Sequence, residues 1–192
     1  YRSQQIEEIA EAFYKVSAGY PLYLIYSLRI LTYKNKYLSK YEIERLPVCP
    51  QGDINQYYNS LWINLSPQAQ QVLLQIACVD FLWPDRNSLA YCFEDSLGFA
   101  QAFEEISFLF EKRLSGITPF HSSIIVHLRN KKEYIDQCES LLKKAKKWID
   151  DDAPEFWKWG WQWVISSQLG DINPLLTGIT RDWLIDSICK GY

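Results

Sequence analysis

The side chains with chemical reach in this 192-residue chain are few and scattered. Two histidines, His121 and His127, stand six residues apart with no cysteine close by in sequence, so no zinc site is expected. Five cysteines (Cys49, Cys78, Cys92, Cys138 and Cys189) lack any C-x-x-C spacing. Four fall in apolar patterns and Cys49 in a proline-flanked loop, which fits thiols kept reduced. No G-x-x-x-x-G-K-[ST], G-x-G-x-x-G or H-E-x-x-H occurs, nor a Ser or Cys in a nucleophile elbow. No complete catalytic site and no cofactor bound by these residues alone are expected.

His121 sits in "TPFHSSI", between a predicted hairpin and a predicted helix. A ring at that place has two uses. It caps the helix start, or it meets an anion that the helix dipole and free N–H groups also favour. Spacing leaves both open.

The alternating Trp157, Trp159, Trp161 and Trp163 form the densest aromatic group. On a strand they would share one face and could stack on bases. On a helix they split, Trp157 with Trp161 and Trp159 with Trp163. Packing between neighbouring helices and a surface for a partner or ligand are the two readings. Lys143, Lys144, Lys146 and Lys147 could touch phosphates. Acids flank them (Glu139, Asp150, Asp151, Asp152), and a solvated helix face is the plainer reading.

Net charge is −3, which argues against a dedicated nucleic-acid binder. With 48% hydrophobic and 16% aromatic residues, the chain can build a core and is not a disordered tail. No apolar run approaches the ~18 residues that a membrane span needs, and no signal peptide opens the chain, so a soluble, cytoplasmic piece is expected. The chain opens at Tyr1 and has no methionine, which reads as a piece of a longer protein.

The elements that position these residues are mainly helical. Ile6, Ile9, Ala10, Phe13 and Val16 keep helical spacing. In "VSAGYPLYLI", Gly19 reads as an αL cap that ends one helix. Pro21 reads as the first turn of the next, where its missing N–H is harmless. That second helix is apolar nearly all round and is expected to be buried. "LPVCPQGD" over 46–53 reads as a linker.

A new unit starts at Asp53, with Ile54, Tyr57, Tyr58, Leu61 and Trp62 on one stripe. Ser66 and Pro67 start another helix. Short helices over about 86–93 and 97–106 follow, then a hairpin turning at Leu114-Ser115-Gly116, then a helix over "HSSIIVHLRN". The order fits a winged-helix-like domain. Beyond it, Ile135, Cys138, Leu141, Leu142, Ala145, Trp148 and Ile149 share a face. Asp152 and Glu155 read as the N-cap and N3 of the tryptophan helix. The last segment adds one or two helices. The domains are 1–45 (small helical), 53–130 (winged helix) and 131–192 (helical array without a fixed repeat period).

Two stretches resemble a known family. "IEEIAEAFYKVSAGYPLYLI" resembles the segment of NB-ARC and NACHT-type STAND NTPases that ends in G-x-P-L. "FHSSIIVHL" resembles their Met-His-Asp motif and the apolar helix after it. The motifs stand about a hundred residues apart, in the family's order, around the expected winged helix. The resemblance covers about residues 1–130.

It implies that residues 1–45 close the lid domain of a nucleotide-binding module and that 131–192 begin a sensor. Pro21 would pack near an adenine and His121 would reach the β-phosphate of ADP, with Gly19 and Ser122 in support. It further implies ADP or ATP with Mg as the parent protein's ligand, an upstream P-loop core carrying Walker A and B, and a homo-oligomer on activation. Bacterial members often serve in antiphage defence. Phe120 stands in place of Met, and Ser122 in place of Asp.

Two other functions stay open. One is a helical protein-interaction module without nucleotide, carried by the tryptophan faces and an unknown protein ligand. The other is a DNA-binding winged helix, for which the third helix, "DRNSLAYCFED", offers only Arg86 and Asn87.

Overall fold

The computed structural model describes residues 2–33, 38–46, 48–49, 53–80, 82–114 and 116–191. Among them lie twelve α-helices and one antiparallel hairpin. Most of the linker expected over 46–53 lies outside the described residues. Cys49, within it, is buried, and its N–H donates to the Val16 carbonyl at 2.7 Å.

The first unit is α1 (Arg2–Ser17), α2 (Pro21–Tyr33) and the short α3 (Lys40–Glu44). The covered stripe of α1 is Ile9, Ala12, Phe13 and Val16; Ile6 and Ala10 are exposed. The stop and start expected at Gly19 and Pro21 are both present. Ala18 and Gly19 take φ of +49° and +73°, and the Tyr20 N–H donates back to the Ser17 carbonyl at 2.9 Å. Pro21 then opens α2, whose first backbone bond ends on the Tyr20 carbonyl at 3.1 Å. α2, expected to be buried, is covered on one face only. Its buried side chains are Tyr23, Tyr26, Ser27 and Leu31, while Ile25 is exposed. The face that meets α4 is made of tyrosines, and the aliphatics lie to its sides.

The second unit has the element order of a winged helix. α4 (Ile54–Asn64) is capped by Asp53, and α5 (Pro67–Cys78) by Ser66, whose Oγ accepts the Ala69 N–H at 3.2 Å. α6 (Arg86–Ala90) and α7 (Ser96–Ile106) follow, each opened by an aspartate, and a 3-10 turn (Ser107–Leu109) leads into the hairpin. β1 (Phe110–Arg113) and β2 (Gly116–Pro119) pair with Phe110 opposite Pro119 and Arg113 opposite Gly116. Ser115 of the expected turn lies outside the described residues. α8 (Ser123–Arg129) completes the unit.

α9 (Lys132–Asp151), α10 (Glu155–Gln168), α11 (Asn173–Gly178) and α12 (Arg181–Lys190) form the last part. α9 buries Tyr134 where Ile135 was expected, since 134, 138, 141, 145 and 148 keep one face and 135 turns off it. The expected cap of α10 is corrected. Asp152 is the C-cap of α9, its N–H bonded to the Trp148 carbonyl at 3.0 Å, and Pro154 precedes α10 with Glu155 as its first residue. One apolar core runs through all three units, from Ala12 to Ile165.

Candidate functional site

The hundred residues between the Gly19-Tyr20-Pro21 corner and His121 fold so that α2, the helix Pro21 opens, and the His121 turn reach one cluster of tyrosines. α2 and α4 face each other through Tyr23, Tyr26, Tyr57 and Tyr58. The Tyr23 and Tyr57 ring centroids lie 4.7 Å apart, and those of Tyr26 and Tyr58 6.0 Å apart. Phe120 leans on this cluster, 5.8 Å from the Tyr26 ring, and anchors the turn before α8. Arg29 of α2 lies over the other face of that contact, its guanidinium 4.5 Å from the Phe120 ring.

The Tyr58 hydroxyl meets Ser123 Oγ at 2.7 Å and lies 3.4 Å from that of Tyr26. Ser123 Oγ in turn lies 2.8 Å from His121 Nδ1. Burial dominates the tyrosines' acidity. It pushes Tyr23 up to about 12 and raises Tyr26, Tyr57 and Tyr58, so all remain protonated at neutral pH. Pro21, Gly19, His121 and Ser122 are exposed.

The capping role at the start of α8 falls to His121. Its Nδ1 accepts the Ser123 N–H at 3.2 Å, while Ser122 occupies the N-cap position without a side-chain cap bond. The residue that sequence reasoning missed is Tyr58. It counted only as one more apolar position on the stripe of α4, and its hydroxyl carried no separate signal.

His127 stands on the next turn of α8, its ring 5.4 Å from Tyr58 and its Nδ1 3.4 Å from Asn55 Oδ1. Its Nε2 is buried and has no hydrogen-bond partner. Burial, then the nearby Lys131 charge, hold its pKa below the usual value, with Asp53 opposing.

The tryptophans of α10 divide as helical spacing predicts. Trp157 donates its indole N–H to the Leu82 carbonyl and packs with Trp161 on the core. Trp159 stacks on Trp183 of α12, centroids 5.6 Å apart and planes 12° apart, and donates to Ser187 Oγ at 2.7 Å. Trp163 meets Trp183 edge-on at 5.7 Å. All four are half-buried between neighbours. Between α10 and α12, Trp159 and Trp183 line a groove of about 190 Å³ rimmed by Glu155, Lys158, Gln162 and Asp186.

The lysines of α9 are likewise engaged. Lys143 pairs with Glu139 at 2.6 Å and Lys146 with Asp150 at 2.9 Å, while Lys144 and Lys147 lie over Phe93 and Tyr91. The helix before the hairpin, the one a DNA-binding winged helix would present, is α7 and not the 85–95 segment. Its outward side chains include Glu104, bonded to Arg86 and to the Tyr33 hydroxyl, and Glu105, bonded to Ser66. Two carboxylates there repel a phosphate backbone.

Among the described residues no group of three or more His, Cys, Asp or Glu is placed to hold a metal, and no helix is long and apolar enough to cross a membrane. Compared with known proteins, the chain matches no family model, no curated protein and no solved structure.

Proposed function

We propose that this chain is the regulatory part of a STAND signalling ATPase that helps hold an ADP-bound resting state and gates oligomerisation. One observation carries the reading. The two stretches that resemble the family's motifs converge on the tyrosine cluster around Tyr58, one through Tyr23 and Tyr26 of α2, the helix that Pro21 opens, and the other through His121 and Ser123. Pro21 offers an exposed apolar ring with no competing donor, suited to an adenine. His121 keeps Nε2 for a phosphate once Nδ1 is used at the start of α8.

A ligand held by both motifs only when the units are closed biases the equilibrium by its differential affinity. ATP or ADP with Mg, an upstream P-loop core and a cytoplasmic setting belong to the same reading. Service in antiphage defence extends it by family analogy alone.

Titration calorimetry of the full-length protein with ADP and Mg²⁺ tests it. Binding is expected, His121→Ala weakens it and raises basal activity, and unchanged ADP retention in that variant overturns the role of His121. A second reading, a helical protein-interaction module, is favoured by exposed aliphatics of the last helices, Leu176 and Ile188 at 74% each. Absence of any ADP binding by the full-length protein selects it.

A further inference from the structure

An exposed histidine on a turn ordinarily samples several rotamers and both tautomers. His121 is restrained at one nitrogen by two groups of the same residue, the Ser123 N–H at 3.2 Å and Ser123 Oγ at 2.8 Å. A nitrogen that accepts a backbone N–H carries no proton of its own, so the neutral ring keeps its proton on Nε2. Ser123 Oγ is itself held at 2.7 Å by the Tyr58 hydroxyl.

Tyr58 is 2% exposed and wedged among the Tyr26, Tyr57 and His127 rings, so its phenol has nowhere to swing. Each hydroxyl has one proton to give. The 2.7 Å contact with Ser123 Oγ is far shorter than the 3.4 Å one with Tyr26, so Tyr58 gives its proton to Ser123 Oγ, and the Ser123 hydroxyl is left to donate to Nδ1, whose lone pair it shares with the Ser123 N–H. The chain of contacts therefore runs from an immobile side chain in the α2–α4 interface to an exposed ring.

We propose that Tyr58 and Ser123 are positioning residues that lock His121 in one rotamer and one tautomer, with Nε2–H presented outward as a fixed donor. The anion this donor serves, the diphosphate of a nucleotide, rests on the function proposed above; the locking does not. Fixing the ring beforehand removes the ordering cost from the binding step, which is what a positioning residue contributes to affinity. Ser122 and Phe120, the neighbours in the motif-like stretch, touch neither Nδ1 nor the Tyr58 hydroxyl in this chain of bonds.

Two readouts on the full-length protein separate the claims. In long-range ¹H–¹⁵N NMR the two imidazoles of this chain are assigned by loss of their signals in His121→Gln and His127→Gln. His121 is expected as a single Nε2–H tautomer, and Tyr58→Phe and Ser123→Ala to give tautomer mixtures. The Ser123 amide should exchange at least about threefold faster in Tyr58→Phe, and Ser123→Thr should restore both signatures.

Tyr58→Phe keeps the buried ring, and Ser123→Ala alters a half-buried side chain, so both variants preserve the packing. Unchanged tautomer and exchange in both variants overturn the proposal. With ADP and Mg²⁺ as the probe, affinity should fall roughly three- to tenfold in Tyr58→Phe, the worth of one ordinary hydrogen bond. A locked ring in a protein that binds no ADP retains the positioning claim and rejects the nucleotide reading.

Discussion

Arg29 and Glu111 lie 82 residues apart in sequence and 2.9 Å apart in space. The ion pair is the lesser part of what joins them. Glu111 is shared with Arg113 at 3.0 Å, is partly exposed, and has its carboxyl held below the usual range by both arginines, Arg113 more than Arg29. Such a pair contributes at most about 1 kcal/mol. The other two arms of Arg29 end on backbone, Nε on the Phe108 carbonyl at 2.8 Å and Nη2 on the Phe110 carbonyl at 2.7 Å. These charge-assisted bonds fasten α2, which carries Pro21 at its start, to the strand whose partner leads into His121.

Arg29→Ala is therefore expected to lower unfolding stability by about 2–3 kcal/mol, and Glu111→Gln by less than about 1 kcal/mol. Urea melts of the two variants give the comparison. Equal losses would mean that the ion pair, not the carbonyl grip, holds the hairpin to α2.

His127 makes stability depend on pH in a stated direction. Its folded pKa lies below the ordinary 6.5, because the ring is desolvated against Tyr58 and faces Lys131, with Asp53 pulling the other way. As pH falls through 6.5, the unfolded chain takes up the proton before the folded one does. The unfolded state then binds more protons, so the contribution is fully present above 6.5 and is lost as pH drops below it. Urea midpoints between pH 7.5 and pH 5.5 (chosen to bracket that ordinary value) should fall, and His127→Gln should flatten the slope. An equal slope in the variant would place the titration elsewhere.

Gly116 is needed for two reasons at once. Its φ is +103°, outside the range L side chains adopt, and a Cβ there would overlap the Trp83 carbonyl oxygen. The approach has a purpose, since the Ile117 N–H donates to that carbonyl at 2.8 Å and ties the hairpin to the loop after α5. Gly116→Ala should destabilise the chain by about 2 kcal/mol or more, through strain and overlap together. A thermal midpoint within error of wild type would show that the loop yields.

Local chemistry was legible wherever it was self-contained. Gly19 and Pro21, Ser66 and Pro67, and the Asp53 cap act within a few residues, and each occupies the position its type suggests. The split of the tryptophans followed from helical period alone. The cap of α10 was misread because Asp152 fits an N-cap pattern as well as the C-cap position of a long helix, which it occupies. The buried face of α2 was not legible because the helix is apolar nearly all round, whereas α4 presents tyrosines that Tyr23 and Tyr26 meet. The link from Tyr58 through Ser123 to His121 spans 65 residues in its first step, and no periodicity reports such a pairing. The engagement of Glu104 and Glu105 by Arg86, Tyr33 and Ser66 was hidden for the same reason.

The tryptophan helix gives the last prediction, because its faces are either packed or free to take a ligand. Gly178, at the end of α11, sits against Trp163. A Cβ there would stand 2.6 Å from Cη2 of that ring, closer than any side chain tolerates. Trp163 has little room to retreat, since its other neighbour is the Trp183 ring, itself stacked on Trp159. A methyl group at 178 must therefore push α11 away from α10 or unseat the Trp159–Trp183 stack. Gly178→Ala should weaken the C-terminal helices by about 1–3 kcal/mol and speed limited proteolysis after α10. It should also alter tryptophan fluorescence, while amide exchange in α5 and α7 stays as in wild type. If the variant is as resistant as wild type, the Trp163 ring moves without penalty, and the face it shares with Trp159 is open to a ligand.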